Sequence, residues 1–430
     1  MRISLTIIVL SILFVSGALG ADWTQYRGSH GDGKSTETLG PLPGNSASVT
    51  ELWKVDTPLG FSSFSVAGGG VFTLATQSHD GDNQEVCLAL DAIAGHELWR
   101  VALGVSDYGS GGGNSGAEDN NGGDGPRSTP ASDGERVYVY DSHLGLYCFD
   151  AKTGDVIWMK DVAEEFGGEN IRWKNAASPL LTDRVVYVAG GGAGQAFLAF
   201  DKLNGELLWS SGEETMTHAT PVFATIQGSR QVIFFTQSGL VAVDHQNGDE
   251  LWNSEFPFSV STAASPVVFG ELVYCSAGYG VGAGLFKIDK TNRDLGSQNV
   301  WQRPNELMNH WSTPVCRDGY LYGIYGFKKY GEAPLQCVEL ESGEIQWSEV
   351  GFGAGNCILV GDKILALTDF GEVVVVNAAP DAYVELARAK VIKGKCWSTP
   401  AFSDGRIYVR STVEGACVEF PTAAGIRSQP

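Results

Sequence analysis

Residues 127–160 read RSTPASDGERVYVYDSHLGLYCFDAKTGDVIWMK, and this unit decides the fold. A short strand opens at Ser128-Thr129-Pro130, a tight turn follows at Asp133-Gly134, and a second strand covers Arg136–Tyr140. A third strand over 146–150 leads into the turn Ala151-Lys152-Thr153-Gly154, and a fourth ends at Trp158. The strand stretches are rich in Val, Ile, Tyr and Phe, and the gaps carry Gly, Asp or Asn. That pattern predicts four antiparallel strands joined by hairpins.

The unit recurs. Its opening proline returns as Pro179, Pro221, Pro266, Pro314 and Pro400, with Cys357 in the slot once, at spacings of 42 to 49 residues. The closing tryptophan returns as Trp99, Trp209, Trp252, Trp301 and Trp347. Four strands in about 45 residues is the length of a propeller blade. Proline cannot donate to a ladder, which suits an inner edge strand facing a central channel.

Eight blades are expected, over 62–100, 127–160, 176–210, 218–253, 263–302, 311–349, 355–392 and 397–420. Blade seven is divergent and lacks both Pro and Trp; a seven-bladed ring is the alternative if it is not a full blade. Blade eight has only three strands before the chain stops. Glu51-Leu52-Trp53 repeats Glu97-Leu98-Trp99, so an N-terminal strand should complete blade eight and close the ring, removing free edges. The expected fold class is all-β: an eight-bladed β-propeller of four-stranded antiparallel blades.

The high glycine content (56 of 430 residues) and the absence of helical periodicity agree with that reading. Residues 1–20 read as a secretory signal, with Arg2, the apolar run 7–14 and the small-residue site Ala18-Leu19-Gly20. A leader over 21–50, the propeller over 51–420 and a tail over 421–430 would follow. Destination is secreted or periplasmic, with no membrane span after signal cleavage. A net charge of −21 argues against nucleic acid and anionic lipid as partners.

The eight cysteines form no C-x-x-C pair or zinc spacing. Cys148, Cys337 and Cys417 share one repeat position, where other copies have Ala89, Ala199 and Ala242, and read as small buried fillers. Cys357 and Cys396 open strands of neighbouring units, which leaves a bridge between them open. The turn carboxylates Asp91, Asp150, Asp201, Asp244 and Glu339, each four residues before a Gly, read as turn formers.

In such a blade the one–two and three–four turns share one face. The two–three turns and blade crossings share the other. The first set is short. The second is long at 78–84, 190–195, 276–284, 326–334, 101–127 and 161–176, which marks a binding face. The crossing 104–126 holds Asp107, Glu118, Asp119 and Asp124, but its spacing matches no calcium loop, so it reads as a solvated loop.

Residues just ahead of the first-strand prolines should rim the channel mouth on that face: Arg127, Lys174, Asn175, His218, Thr262, His310, Trp311, Lys395 and Trp397. Rings and cations around one opening suit a small planar or anionic ligand. The competing reading is that the Trp pack against blades and the cations offset nearby carboxylates. No G-x-S-x-G, H-E-x-x-H or P-loop occurs.

The repeated Ser-Thr-Pro, Val-Tyr-Val and Asp-x-x-Thr-Gly-x-x-x-Trp pattern resembles the pyrroloquinoline-quinone-like (PQQ-like) β-propeller superfamily, from about residue 51 to 420. The leader Asp22-Trp23-Thr24-Gln25-Tyr26-Arg27-Gly28 looks like the segment preceding such propellers in exported bacterial proteins. The resemblance implies one of two functions. Quinoprotein dehydrogenases of the superfamily hold PQQ and Ca²⁺ in the channel under a disulfide of adjacent cysteines, a pair this sequence lacks. The propeller subunit of the outer-membrane β-barrel assembly machinery is a non-catalytic scaffold, close in size and blade number; the present chain has no lipid-anchor Cys after its apolar run. The expectation is an exported non-catalytic scaffold that binds an envelope protein or small ligand, with no cofactor; the alternative is a PQQ- and Ca-dependent oxidoreductase.

Overall fold

The computed structural model describes residues 21–40, 42, 49–57, 59–79, 82–108, 125–259, 262–292, 294–326 and 333–420. The signal segment, most of the 104–126 crossing, most of 326–334 and the tail lie outside the described residues.

Among the described residues eight sheets follow one another; the first seven each contain four consecutive antiparallel strands and the eighth contains three. They span 65–105, 131–161, 180–211, 222–255, 267–303, 315–349, 356–390 and 401–419, the last completed by Thr50–Asp56 on its outer edge. Blade seven is complete (Asn356–Val360, Lys363–Leu367, Glu372–Asn377, Glu385–Lys390), which removes the seven-bladed alternative. It also carries a fifth strand, Lys34–Ser35, parallel to its inner strand.

The repeated residues are the joints between blades. Each fourth-strand indole N–H of Trp53, Trp99, Trp158, Trp209, Trp301 and Trp347 donates to a carbonyl of the following blade, at 2.9–3.2 Å. The turn glycine of that next blade lies against the ring. A Cβ on Gly95 would sit 2.6 Å from Trp53, and one on Gly205 2.8 Å from Trp158. Within its own sheet the Trp faces the small repeat position: Trp158 opposite Cys148, Trp209 opposite Ala199, Trp347 opposite Cys337. All eight cysteines are buried and free, so the Cys357–Cys396 bridge left open by the sequence does not form.

The hydroxyls of Ser-Thr-Pro form an inner girdle. The N–H of Ser63 donates to Thr129 Oγ1 (3.0 Å), Thr129 to Ser178 Oγ (2.9 Å), Ser178 to Thr220 Oγ1 (2.9 Å) and Ser265 to Thr313 Oγ1 (2.9 Å). Thr399 closes back to Ser63 Oγ at 2.8 Å. The motif thus pairs buried N–H groups that an inner edge strand would otherwise leave unmet. The turn carboxylates cap as expected; Asp91 accepts the Ile93 and Ala94 N–H groups, and Asp150 those of Lys152 and Thr153.

Two loops differ from the sequence reading. Residues 78–79 and 82–84 belong to two long paired strands, Gly70–His79 and Asp82–Asp91, rather than to a loop. The crossing 161–176 contains a one-turn helix, Val162–Phe166, capped by the Asp161 carboxylate on the Glu164 N–H and ended by Gly167 at φ 63°. One turn is too short to show a periodic apolar stripe.

Candidate functional site: a channel closed at one end with an aromatic mouth

The leader occupies the short-turn end of the channel. Trp23 pairs with Val66 of blade one, and Thr24 accepts the Ser132 N–H of blade two. Gln25 bonds both the N–H and the carbonyl of Leu181 in blade three. Arg27 reaches into blade six, donating to Thr313 O (2.7 Å) and Pro314 O (2.9 Å). Lys34–Ser35 pairs with blade seven, and Glu37 accepts the Asp404 and Gly405 N–H groups of blade eight. A cavity of about 40 Å³ lies between the leader and blades four and five, beside His30, Val222 and Pro266. Burial pulls the Arg27 pKa down, and three carbonyl bonds compensate the guanidinium.

At the other end, one slot per blade, three residues before the Pro position, faces the mouth. It holds Phe61, Arg127, Ala176, His218, Ala263, Trp311, Ala354 and Trp397 around the ring. The small Ala354, flanked by Gly353 and Gly355, leaves room in blade seven. Trp311 of blade six fills it, donates from Nε1 to Ala354 O at 3.0 Å, and stacks on Trp397 of blade eight at 4.4 Å between centroids. Phe61 of blade one stacks on Trp397 at 4.6 Å. His310 meets Trp311 (5.1 Å) and Tyr279 of blade five (5.0 Å) edge to face. Lys395 Nζ lies 4.9 Å over the Trp397 ring.

The opposite arc is cationic. Arg127 lies 5.2 Å over the Tyr108 ring and donates to Trp173 O at 2.9 Å. Arg172, exposed, lies 4.6 Å over the Trp173 indole. His218 donates from Nε2 to Lys174 O at 2.8 Å. Burial, with Arg127 and His310 nearby, pulls its pKa down to about 3, so the ring is neutral at physiological pH.

The rim residues read from sequence therefore divide. His310, Trp311, Lys395 and Trp397 come together in one aromatic group, and Arg127, Lys174 and His218 meet across from it. Asn175 and Thr262 turn into the scaffold. The Asn175 amide is spent on Asp141 O, Ala177 O and the Ala177 N–H, and the Thr262 hydroxyl on Ser276 O. Phe61 occupies the same slot as Trp311 and Trp397 but precedes Phe64 instead of Pro, which hid it. Arg172, Trp173 and Tyr279 sit on crossings and turns that no repeat position marks.

Beneath Trp397 lie two buried polar groups of blade seven. Asn356 donates to Trp397 O at 2.6 Å, and Asp369 accepts the Ala354 N–H at 3.4 Å. Burial raises the Asp369 pKa to about 6, against that backbone bond and the charge of Lys395. Among the described residues no group of three or more His, Cys, Asp or Glu is placed to hold a metal ion, and no helix is long and apolar enough to cross a membrane.

The family model described as outer membrane protein assembly factor BamB matches residues 82–349. BamB of Yersinia pestis is 25% identical over 268 residues, covering 57% of this chain and 64% of that protein. Tetrathionate hydrolase of Acidithiobacillus ferrooxidans is 24% identical over 257 residues, 60% of this chain and 43% of that protein. The matches thus span less than two thirds of those relatives' own lengths. Among solved structures, BamB from Moraxella catarrhalis aligns with TM-score 0.60 and 16% identity over 87% of this chain and 98% of that one. Quinohemoprotein alcohol dehydrogenase from Comamonas testosteroni aligns with TM-score 0.65 and 13% identity over 92% and 80%. At those identities the structural likeness shows the fold alone.

Proposed function

The chain belongs to the family of the outer membrane protein assembly factor BamB, within the PQQ-like propellers, and from that premise we propose that it is an exported, non-catalytic scaffold whose long-loop face and channel mouth recognise an envelope partner. One observation carries this reading. The described leader residues bond to six of the eight blades at one end of the channel, and the rings and cations of the wall lie at the other end. There a protein of net charge −21 gathers Arg127, Arg172 and Lys174 across from Tyr279, Trp311 and Trp397. Such a surface suits an acidic or aromatic segment of a partner, or a small planar anion of the same chemistry. The relatives named as outer membrane assembly factors support a partner in the envelope.

The residues present do not fit a quinone. A planar cofactor needs a slot between two rings of about twice the van der Waals spacing. Phe61, Trp397 and Trp311 are already stacked on one another at 4.6 and 4.4 Å. The carboxylate beneath them, Asp369, already feels the charge of Lys395, which would oppose Ca²⁺. Adding PQQ and Ca²⁺ should therefore leave the melting temperature unchanged and give no dye-linked alcohol oxidation. A shift together with turnover would favour the oxidoreductase.

The test of the scaffold is site-specific photocrosslinking in the native envelope. A probe at position 172 or 279 should trap a partner protein, and one at the outer-edge residue Leu208 should not. Crosslinks from the outer edge alone would reject the mouth as the recognition surface.

A further inference from the structure

The two turns that flank the seam of the ring each take a carboxylate from the leader. Gly68-Gly69 joins the first two strands of blade one, and Asp404-Gly405 the first two of blade eight. All four residues lie at positive φ, between 54° and 82°. Successive N–H groups of such a turn converge on one anion. The Asp404 and Gly405 N–H groups donate to the two oxygens of Glu37 at 2.9 Å each, and the Gly68 N–H donates to Asp22 Oδ2 at 3.4 Å.

Ala21 lies between these two anchors. Its backbone nitrogen donates to Glu37 Oε1 at 3.1 Å, and Ala21 and Glu37 are both half-buried. Two residues on, Trp23 exchanges two bonds of 2.8 Å with Val66 of blade one. Residues 21–23 and Glu37 thus tie blade one to blade eight on the short-turn face, at the same seam that Trp53 crosses on the outer edge. Among the described residues the donors to the Glu37 carboxylate are three backbone nitrogens, and no Lys or Arg pairs with it. Ala21 is also the residue that heads the chain once 1–20 is removed after Ala18-Leu19-Gly20. Hydrolysis of the Gly20–Ala21 bond by a signal-processing protease consumes one water, leaves a carboxylate on Gly20 and places an ammonium on Ala21.

We infer that this processing step completes the seam: the new Ala21 ammonium pairs with Glu37, so the mature chain holds its leader across blades eight and one more firmly than the uncut chain does. This rests on the reading of the protein as exported, with cleavage before Ala21. The uncut chain offers Glu37 a neutral amide N–H at that atom. The mature chain offers a positive charge at the same atom, and charge-assisted bonds are roughly twice as strong as neutral ones. Most surface ion pairs contribute little because two side chains must be ordered to form them. Here the turn of blade eight already fixes Glu37, and the backbone pairing of Trp23 already fixes the chain beside Ala21.

The test compares the mature chain 21–430 with the same chain carrying two glycines ahead of Ala21, which moves the ammonium away and restores an amide at the Ala21 nitrogen. Each is made with Glu37 and with Glu37→Gln, which keeps an acceptor oxygen for the turn. Hydrogen exchange at low salt is read in peptides containing Val66 and Asp404-Gly405, whose N–H groups donate to the leader. With Glu37, the extension should lower protection about threefold or more; with Glu37→Gln, the mature and extended chains should match. Equal protection in the two Glu37 chains, or an equal fall in both pairs, overturns the inference. Should Glu37→Gln not fold by circular dichroism, the two Glu37 chains decide: their difference should shrink by roughly half or more in about 1 M NaCl, and a difference that salt leaves unchanged overturns the ion pair. Mass analysis of the amino terminus of the protein from the native envelope checks the cleavage separately, and a terminus other than Ala21 overturns processing as the source of the charge. No partner enters these measurements, so failure of the mouth as a recognition surface would leave their outcomes unchanged.

Discussion

Trp53 lies directly opposite Cys417 in the sheet of blade eight, and its indole N–H crosses to the Ala92 carbonyl of blade one at 3.1 Å. One side chain near the start of the chain therefore ties the last blade to the first. Trp53→Ala removes a ring buried against Phe64 and Tyr408. It should cost about 3–5 kcal/mol, read by urea denaturation. It should also expose the Glu414–Glu419 edge, seen as concentration-dependent association on gel filtration.

The hydroxyl girdle predicts a sharper effect from a near-isosteric change. Thr129→Val leaves the buried Ser63 N–H without its acceptor and should cost about 1–3 kcal/mol. Thr153→Val, on an exposed turn, removes a hydroxyl of the same kind and should change the denaturation midpoint much less.

Gly33 tests the leader. It sits at φ +77°, and a Cβ there would lie 2.6 Å from Arg27 Nη2 and 2.7 Å from Val315 Cγ1. Gly33→Ala should destabilise by about 1–3 kcal/mol. It should also raise protease sensitivity within 21–37 before any other segment, because the leader must lift away to relieve the contact. Equal sensitivity in wild type and variant would argue that the leader is not held as described.

Glu85, in the third strand of blade one and raised by burial, makes stability depend on pH. A carboxyl with a folded pKa of about 7 and an ordinary value near 4.5 contributes stability that is complete below pH 4.5. That contribution declines as pH rises and is gone above about pH 7. Asp369, also raised, acts in the same direction, whereas the neutral buried His218 disfavours folding as pH falls below its ordinary value. The difference in urea midpoint between wild type and Glu85→Gln isolates the first term. It should shift against wild type between about pH 4.5 and pH 7, and be flat above.

The blades were legible because their signals are local. A strand of about five residues, an Asp-to-Gly turn and a Trp opposite a small residue all lie within one unit, and repetition averages out the ambiguity of any single copy. Blade seven shows the limit. Without Pro and Trp it still forms four strands, because Ile358, Leu365, Val373 and Val375 supply the buried alternation that the sheet needs.

The mouth was only half legible. The slot before Ser-Thr-Pro identified Arg127, His218, Trp311 and Trp397, whereas Asn175 and Thr262 proved to satisfy backbone carbonyls. Arg172, Trp173 and Tyr279 lie on segments whose course depends on how far one blade stands from the next. No spacing in the sequence encodes that distance.

From its sequence alone this protein is a ring of strand quartets completed by its own leading strand, because hydrogen bonding within a quartet depends on residues close together in the chain. Only the closed ring decides that the leader bonds across one end of the channel, that Trp311 passes the small Ala354 to stack on Trp397, and that Glu85 meets Ser142. Those contacts join residues from separate blades, and it is the curvature of the ring that brings them within a few ångströms of one another.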